Sequence, residues 1–192
     1  MRARSIALCG LVWALALAAA PTAARADGPP SRADVEATLR KGGSDKDANL
    51  PRLAAEAEPL LIAIADDKAV EGPIRARAVA ALAYARSARA HTYLENLVLR
   101  KAPSSDAVDR LLVRRGAVAL GWQSGPRVVD IIAPLLDHTD PEVRLDAAVA
   151  LGLCRARAAE APLRAHHDQE TDPAVKRQIE SALRAIAPAP PR

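Results

Sequence analysis

Residue types that ligate metals or act as nucleophiles are scarce in this chain of 192 residues, which has four histidines and two cysteines. His166 and His167 are adjacent, and neighbouring residues of a helix point about 100° apart, a poor geometry for binding one ion together. His91 and His138 stand alone, without a Cys or carboxylate cluster at ligand spacing. The pattern favours solvated helix residues over the alternative, a metal site, and predicts no cofactor.

Cys154 is the cysteine that could matter for function, because Cys9 lies in a predicted signal peptide described below. One cysteine cannot form a disulfide within the chain. Two interpretations remain: a small core residue, or a reactive or intermolecularly bridging thiol. Its place on a repeated apolar stripe favours the core.

The chain lacks the local motifs of common catalytic machinery. It contains no Gly-rich phosphate loop and no nucleophile elbow. Carboxylates are numerous, but none stands on an apolar helix face, where burial would raise its pKa. We therefore predict that the protein is not an enzyme and has no catalytic residues.

Residues 1–26 have the features of a secretory signal peptide. Arg2 and Arg4 give a positive start, residues 6–20 are uncharged and apolar, and residues 24–26 (ARA) form a small-x-small cleavage pattern. The apolar stretch is shorter than the roughly 18–20 residues that span a bilayer, although an uncleaved anchor is the alternative. The sequence predicts cleavage after residue 26, export to the periplasm (or, as an alternative, secretion), and no membrane span in the mature chain.

Cleavage would also change the charge. It removes Arg2, Arg4 and Arg25 and no acid, so the formal net charge falls from +4 to +1. The precursor's pI of about 9.4 is therefore no argument for a nucleic-acid partner, and none is expected.

The composition points to helices. Alanine occurs 45 times, aromatic residues make up 2% of the chain, and Phe is absent. Alanine is the best helix former and a poor strand former. This composition argues against an all-β sandwich and against a base-stacking nucleic-acid platform.

One apolar pattern recurs four times along the chain. Its offsets of 0, 4, 7, 8 and 11 describe one face of an α-helix. Two copies begin with Asp-Pro, at Asp140 and Asp172, which is a typical helix start. The stripes are Ile74, Ala78, Ala81, Leu82, Ala85; Leu112, Gly116, Ala119, Leu120, Gln123; Val143, Ala147, Ala150, Leu151, Cys154; and Val175, Ile179, Ala182, Leu183, Ile186.

Each copy follows another apolar helical segment, so each unit is a helix A, a turn and a helix B, with a bend expected at Pro134. We predict these units for residues 50–187. Before them, residues 27–49 contain a capping helix at 32–41 and a polar linker. After them, residues 188–192 form a disordered proline-rich tail.

The units resemble the HEAT-repeat family, in particular the short HEAT-like repeats named after phycobilisome lyases. The likeness is carried by residues 135–144 (LLDHTDPEVR) and 147–152 (AAVALG) and is weakest in the second unit. The resemblance implies an all-α fold, a right-handed α-solenoid of about four helical hairpins, which usually binds other macromolecules. We expect a monomer.

The resemblance also implies an internal ladder of ion pairs. In HEAT-type stacks a basic residue early in helix B often pairs with the Asp that opens helix B of a neighbouring unit. The basic residues at that position are Arg75, Arg144 and Lys176, and suitable partners are Asp140 and Asp172.

Charge separates the two helix layers. The four B segments hold thirteen Lys and Arg against five Asp and Glu, and the preceding A segments hold six against thirteen. The B helices of such solenoids commonly bind partners, so a basic surface for an acidic protein segment or anionic headgroups is one interpretation. Solvation and pairing with the acidic layer is the other. Trp122 is either a binding anchor or a satellite core contact. The candidate partner-binding residues are Arg77, Arg114, Arg115, Trp122, Arg155, Arg157, Arg177 and Arg184.

Three functions are consistent with these features. The favoured one is an exported scaffold for protein–protein interaction or envelope complex assembly. The second is a chromophore-lyase-like enzyme or lyase helper, suggested by the repeat's namesake alone. The third is a structural accessory of a larger envelope complex, without a discrete binding face.

Overall fold

The computed structural model describes residues 29–41, 49–125 and 127–187. The predicted signal peptide (1–26), most of the predicted linker and the predicted tail (188–192) lie outside the described residues.

Within these ranges the chain is all-helical and forms an α-solenoid, as the repeats predict. No helix there is long and apolar enough to cross a membrane. The helices are α1 (Arg32–Lys41), α2 (Asn49–Asp66), α3 (Gly72–Ala81), α4 (Ala88–Lys101), α5 (Ala107–Gln123), α6 (Val128–Ile132), α7 (Pro141–Cys154), α8 (Glu160–Gln169) and α9 (Pro173–Ile186). Short 3₁₀ helices follow α3 (Leu82–Tyr84) and α6 (Ala133–Asp137) and precede α8 (Arg157–Ala159).

The helices pair into four hairpins that stack in chain order. The B layer consists of α3, α5, α7 and α9, each packed on the next, and the A layer consists of α2, α4, α6 with its 3₁₀ helix, and α8. Helix α1 packs on α2 and α3 at the start of the stack. Ser31 and Asp34 cap it reciprocally, with the Ser31 Oγ donating to Asp34 at 2.6 Å.

Aspartates start three of the four B helices. Asp106, Asp140 and Asp172 each accept a hydrogen bond from first-turn N–H groups, and proline occupies the first position of α7 and α9. Helix α3 begins differently, at Gly72-Pro73, without a side-chain cap. These caps satisfy N–H groups that have no partner within the helix.

The repeated stripe is the core of the stack. Its first four positions are buried in every unit except at Leu183, which is half-buried. Small residues let the B helices approach closely: a Cβ on Gly121 of α5 would lie 2.3 Å from the backbone oxygen of Ala150 in α7. At the next interface of the B layer, a Cβ on Gly152 of α7 would lie 3.0 Å from Cα of Ala182 in α9. Side-chain bulk is therefore excluded where backbones touch.

The A layer is less regular. Helix α2 is kinked at Ala57, which has non-helical φ/ψ, just before Pro59. The third A segment changes from α to 3₁₀ at Ala133-Pro134, where the sequence predicts a bend. Proline lacks the N–H that the preceding turn would bond, so both irregularities have a local cause.

Candidate protein-binding surface

The interface between the third and fourth units contains an ion pair between a half-buried arginine and a buried glutamate. Arg144 on α7 donates from Nε and Nη2 to the Glu170 carboxylate at 2.8 and 3.0 Å, and Glu170 is 2% exposed. The same carboxylate accepts from the backbone N–H of Asp172 and from His166. Hydrogen bonds from Arg144, and to a smaller extent from Asp172 and His166, lower the Glu170 pKa to about 2, although burial opposes the shift.

Arg144 therefore reaches the neighbouring unit as the ladder requires, but its partner is Glu170 and not Asp172. Asp172 instead uses its carboxylate to cap its own helix, accepting from Ala174 and Val175. Glu170 lies in the turn just before Asp172, and its carboxylate is not used to cap α9, whereas that of Asp172 is.

The interface between the second and third units uses two arginines of α5. Arg110 lies 3.0 Å from the Asp140 carboxylate, and Arg114 lies 2.7 Å from Glu142 and 2.6 Å from Asp146. Asp140 thus has a partner in the neighbouring unit, at a register two residues before the stripe. Arg114, a candidate for partner binding, is used to hold two units together.

The other two ladder residues behave differently. Arg75 is buried and donates to the backbone oxygen of Ala65 at 2.9 Å, in the last turn of α2. Lys176 makes no ion pair with any residue that the structure describes. Arg144 and Asp140 thus take part in ion pairs between units, but with Glu170 and Arg110 as partners, while Arg75, Lys176 and Asp172 form none with the described residues.

The remaining basic candidates do not form one group. Arg77 donates to the backbone oxygen of Leu39 at 2.7 Å and covers the end of α1, while Arg115 has a partner within the protein. Arg177 and Arg184 lie on α9 opposite its buried stripe, at the end of the stack. Arg155 and Arg157 are exposed in the turn after α7. The predicted single basic B face is thus divided.

A cleft with a volume of about 680 Å³ lies where the first and second units meet. It occupies the edge of the stack at which each B helix ends and the next A helix begins. We call it the aromatic cleft because Tyr84 and Trp122 line it, with ring centroids 6.2 Å apart and planes tilted by 58°. Its lining consists of Pro51, Ala83, Tyr84, Ala85, Arg86, Ser87, Ala88, His91, Trp122 and Gln123. Trp122 is 57% exposed, which is high for so large an apolar side chain.

A hydrogen-bond network fixes the wall of the aromatic cleft. The Gln123 Nε2 donates to the backbone oxygens of Leu82 at 2.7 Å and Ala85 at 2.8 Å, covering the end of the first B helix. Its Oε1 accepts from the His91 Nδ1 at 3.0 Å. One amide thus connects α5, α4 and the 3₁₀ turn after α3 and fixes this wall of the cleft.

The backbone beside Trp122 is strained. Ser124, two residues later, has φ 55° and ψ 167°, a region that residues other than glycine rarely adopt. Such conformations cost on the order of 1–3 kcal/mol and persist where surrounding contacts hold them. Here the α5 end must turn sharply while Gln123 remains bonded to the previous unit.

The ionisable groups of the aromatic cleft are cationic or neutral. Arg86 and His91 line it, and Arg89 follows in the first turn of α4. Arg86 and Arg89 are exposed and make no hydrogen bond or ion pair within residues 29–41, 49–125 and 127–187. The neighbouring carboxylate, Glu95, is 13% exposed and lies 3.6 Å from both His91 and Arg127.

Of the residues first considered for chemistry, His91 lines the aromatic cleft and the others lie elsewhere. Cys154 ends α7, is half-buried, and its Sγ lies 3.1 Å from the Leu151 backbone oxygen. The His138 Nδ1 accepts from the Asp140 N–H, and His167 lies 3.4 Å from Asp168 and Glu180. Over the described residues, no group of three or more His, Cys, Asp or Glu could hold a metal ion.

The family model for HEAT repeats matches residues 108–184, from the start of α5 to the last turn of α9. The match supports a HEAT-repeat relationship for this part of the chain, and HEAT repeats generally act as protein-interaction scaffolds. The narrower likeness to repeats named after phycobilisome lyases stays a prediction. No curated protein matches the chain.

Sequence reasoning selected Trp122 but missed Tyr84, Arg86, His91 and Gln123 as a group. One signal was present: Gln123 occupies an apolar stripe position held by Ala85, Cys154 and Ile186 in the other units. A polar residue there indicates a hydrogen-bonded role. Its partners could not be read from the sequence, since they lie 32 to 41 residues away.

Proposed function

We propose that this protein is an exported, non-catalytic scaffold that holds a partner protein at the aromatic cleft. The observation that carries the proposal is Trp122, more than half exposed beside Tyr84 in a preformed cleft between two units. Aromatic side chains in pockets at interfaces supply much of the binding energy of protein complexes. The HEAT-repeat match supports a protein as the partner.

The distribution of exposed arginines favours the same edge of the stack as the binding surface. Arg77, Arg110, Arg114 and Arg144 are engaged inside the protein, whereas Arg86, Arg89, Arg155 and Arg157 are exposed at this edge. Arg86 lines the aromatic cleft and Arg89 follows in the first turn of α4, and exposed charges beside an aromatic anchor favour encounter with a partner of opposite charge. The proposed binding surface is therefore this edge of the solenoid and not the whole B layer.

The test of the binding surface is photo-crosslinking in the native cell. A photoreactive phenylalanine derivative replaces Trp122 in one variant and Leu99 in the other. Leu99 is the matched control, because it is 50% exposed and lies at the far end of α4. We expect a discrete crosslinked protein from position 122 and none from position 99. Equal crosslinking at both positions, or none at 122, would contradict the proposal.

Export is a separate part of the proposal and rests on residues 1–26. N-terminal sequencing of the protein recovered from the cell envelope tests it. The expected first residue is Asp27, directly after the ARA pattern. A chain that begins at Met1 and stays with the cytoplasmic fraction would refute export while leaving the cleft untouched.

A further inference from the structure

We infer that the aromatic cleft binds a short segment of the partner in which an apolar side chain is flanked by carboxylates. The inference rests on the proposed function and adds the chemistry of the partner. Three properties of the cleft lead to it: its apolar lining, its one-sided charge and its fixed wall.

The floor of the cleft suits an apolar side chain. Pro51, Ala83, Ala85 and Ala88 supply small apolar surfaces beside the two aromatic rings. The volume of about 680 Å³ lies within the range of about 300–1,000 Å³ that is typical of small-ligand sites.

The charge around the cleft selects for an acidic segment. Arg86 lines it, Arg89 stands beside it, and no carboxylate is among its lining residues. The nearby Glu95 is already placed between His91 and Arg127. A segment with carboxylates would gain ion pairs here without displacing any in the described part of the protein, whereas a basic segment would meet only repulsion.

Helix ends strengthen this preference. Helix α4 begins at Ala88, which lines the cleft, and the partial positive charge of its first turn favours anions. The opposing carbonyls of Leu82 and Ala85 are covered by the Gln123 amide. The same amide holds the cleft open before binding, so little ordering cost falls on the protein side.

The test is a binding titration of the protein purified from its native cell with three fluorescein-labelled hexapeptides. The first carries Leu-Pro between two pairs of Glu. The second replaces Leu-Pro by Gly-Gly, and the third replaces every Glu by Lys. Fluorescence polarisation should show binding of the first peptide, roughly tenfold weaker binding of the second, and none of the third.

Variants locate the site. Trp122→Ala should weaken binding of the first peptide by about 30-fold, the size typical of an interface hot spot. Arg86→Glu with Arg89→Glu should abolish it, while Arg177→Glu with Arg184→Glu, the same charge change at the far end of the stack, should leave it unchanged. Trp122→Phe should recover most of the loss, and circular dichroism confirms that each variant is folded.

Several results would overturn the inference. Equal binding of the Glu and Lys peptides removes the charge argument, and an unchanged affinity in the Arg86/Arg89 variant moves the site elsewhere. Binding of vesicles that contain phosphatidylglycerol, without binding of the first peptide, replaces a protein segment by a lipid surface. If crosslinking at position 122 persists while no peptide binds, the chemistry inferred here is wrong and the proposed function stands.

Discussion

The B-layer interfaces from α5 to α9 differ sharply from the edge where the first two units meet. The former repeat one solution: small residues let backbones touch at Gly121 and Gly152, and Arg114 and Arg144 reach acids in the next unit. The latter breaks the pattern with an exposed Trp122, a hydrogen-bonding Gln123 and a strained Ser124. A repeated interface requires only stability, and the proposed binding site lies where the repeat is broken.

The largest expected effect is in the regular region. Glu170→Gln leaves the half-buried Arg144 without its charged partner, and the free energy of unfolding should fall by about 3 kcal/mol at pH 7. Urea unfolding measures it. Glu160→Gln is the control, because its ion pair with Arg164 is exposed and should cost less than about 1 kcal/mol. Similar losses in both variants would contradict the special role of the Arg144–Glu170 pair.

The same pair predicts a dependence on pH. The Glu170 pKa is lowered from 4.5 to about 2, so its stabilising contribution is present above pH 4.5. It is lost as the pH falls from 4.5 towards 2. The difference in unfolding free energy between the native protein and Glu170→Gln should therefore shrink between pH 5 and pH 2. A constant difference over that window would show that the carboxylate charge contributes nothing.

The second largest loss of stability is expected where α5 and α7 approach each other closely. Gly121→Ala would place a Cβ 2.3 Å from a backbone oxygen, which cannot move like a flexible side chain. We expect a loss of about 2–3 kcal/mol despite the better helix propensity of alanine. Gly152→Ala, where the nearest atom is 3.0 Å away, should lose less. Thermal unfolding ranks the two, and the reverse order would refute the close-packing account.

Substitutions at the aromatic cleft should change the free energy of unfolding less. Gln123→Leu restores an apolar stripe residue but leaves the Leu82 and Ala85 oxygens without their side-chain donor. The expected cost is about 1–2 kcal/mol, measured by urea unfolding. Gln178→Leu on α9, where the amide has no hydrogen bond with the described residues, should be near neutral. A stabilised Gln123→Leu protein would show that the network is not needed to hold the cleft wall.

The smallest effect has the opposite sign. Ser124→Gly relieves a backbone conformation that only glycine adopts without cost, and should raise the unfolding free energy by about 1 kcal/mol. Ser181→Gly inside α9 is the control and should lower it, because glycine disfavours helix. Differential scanning calorimetry resolves both. No gain at Ser124 would mean that its geometry is not strained.

Sequence patterns predicted much of the stack and little of the site. The offsets of the stripe located the B helices, since one face of a helix must be apolar to be buried. The Asp-Pro starts of α7 and α9 lie where the sequence places them. The ion-pair partners did not follow, because Glu170 and Asp172 are two residues apart and only geometry decides which one Arg144 reaches.

The local pattern of residues by itself determined the all-helical solenoid, the small-residue contacts and the separation of charge between layers. Each of these features depends on the order of residues within one helix or one repeat. Tertiary structure decided which arginines are engaged and which remain at the surface, and it brought Tyr84, Arg86 and Trp122 into one cleft. The physical reason is distance along the chain: Gln123 meets Leu82 across 41 residues, and only the angle at which two hairpins stack places them together.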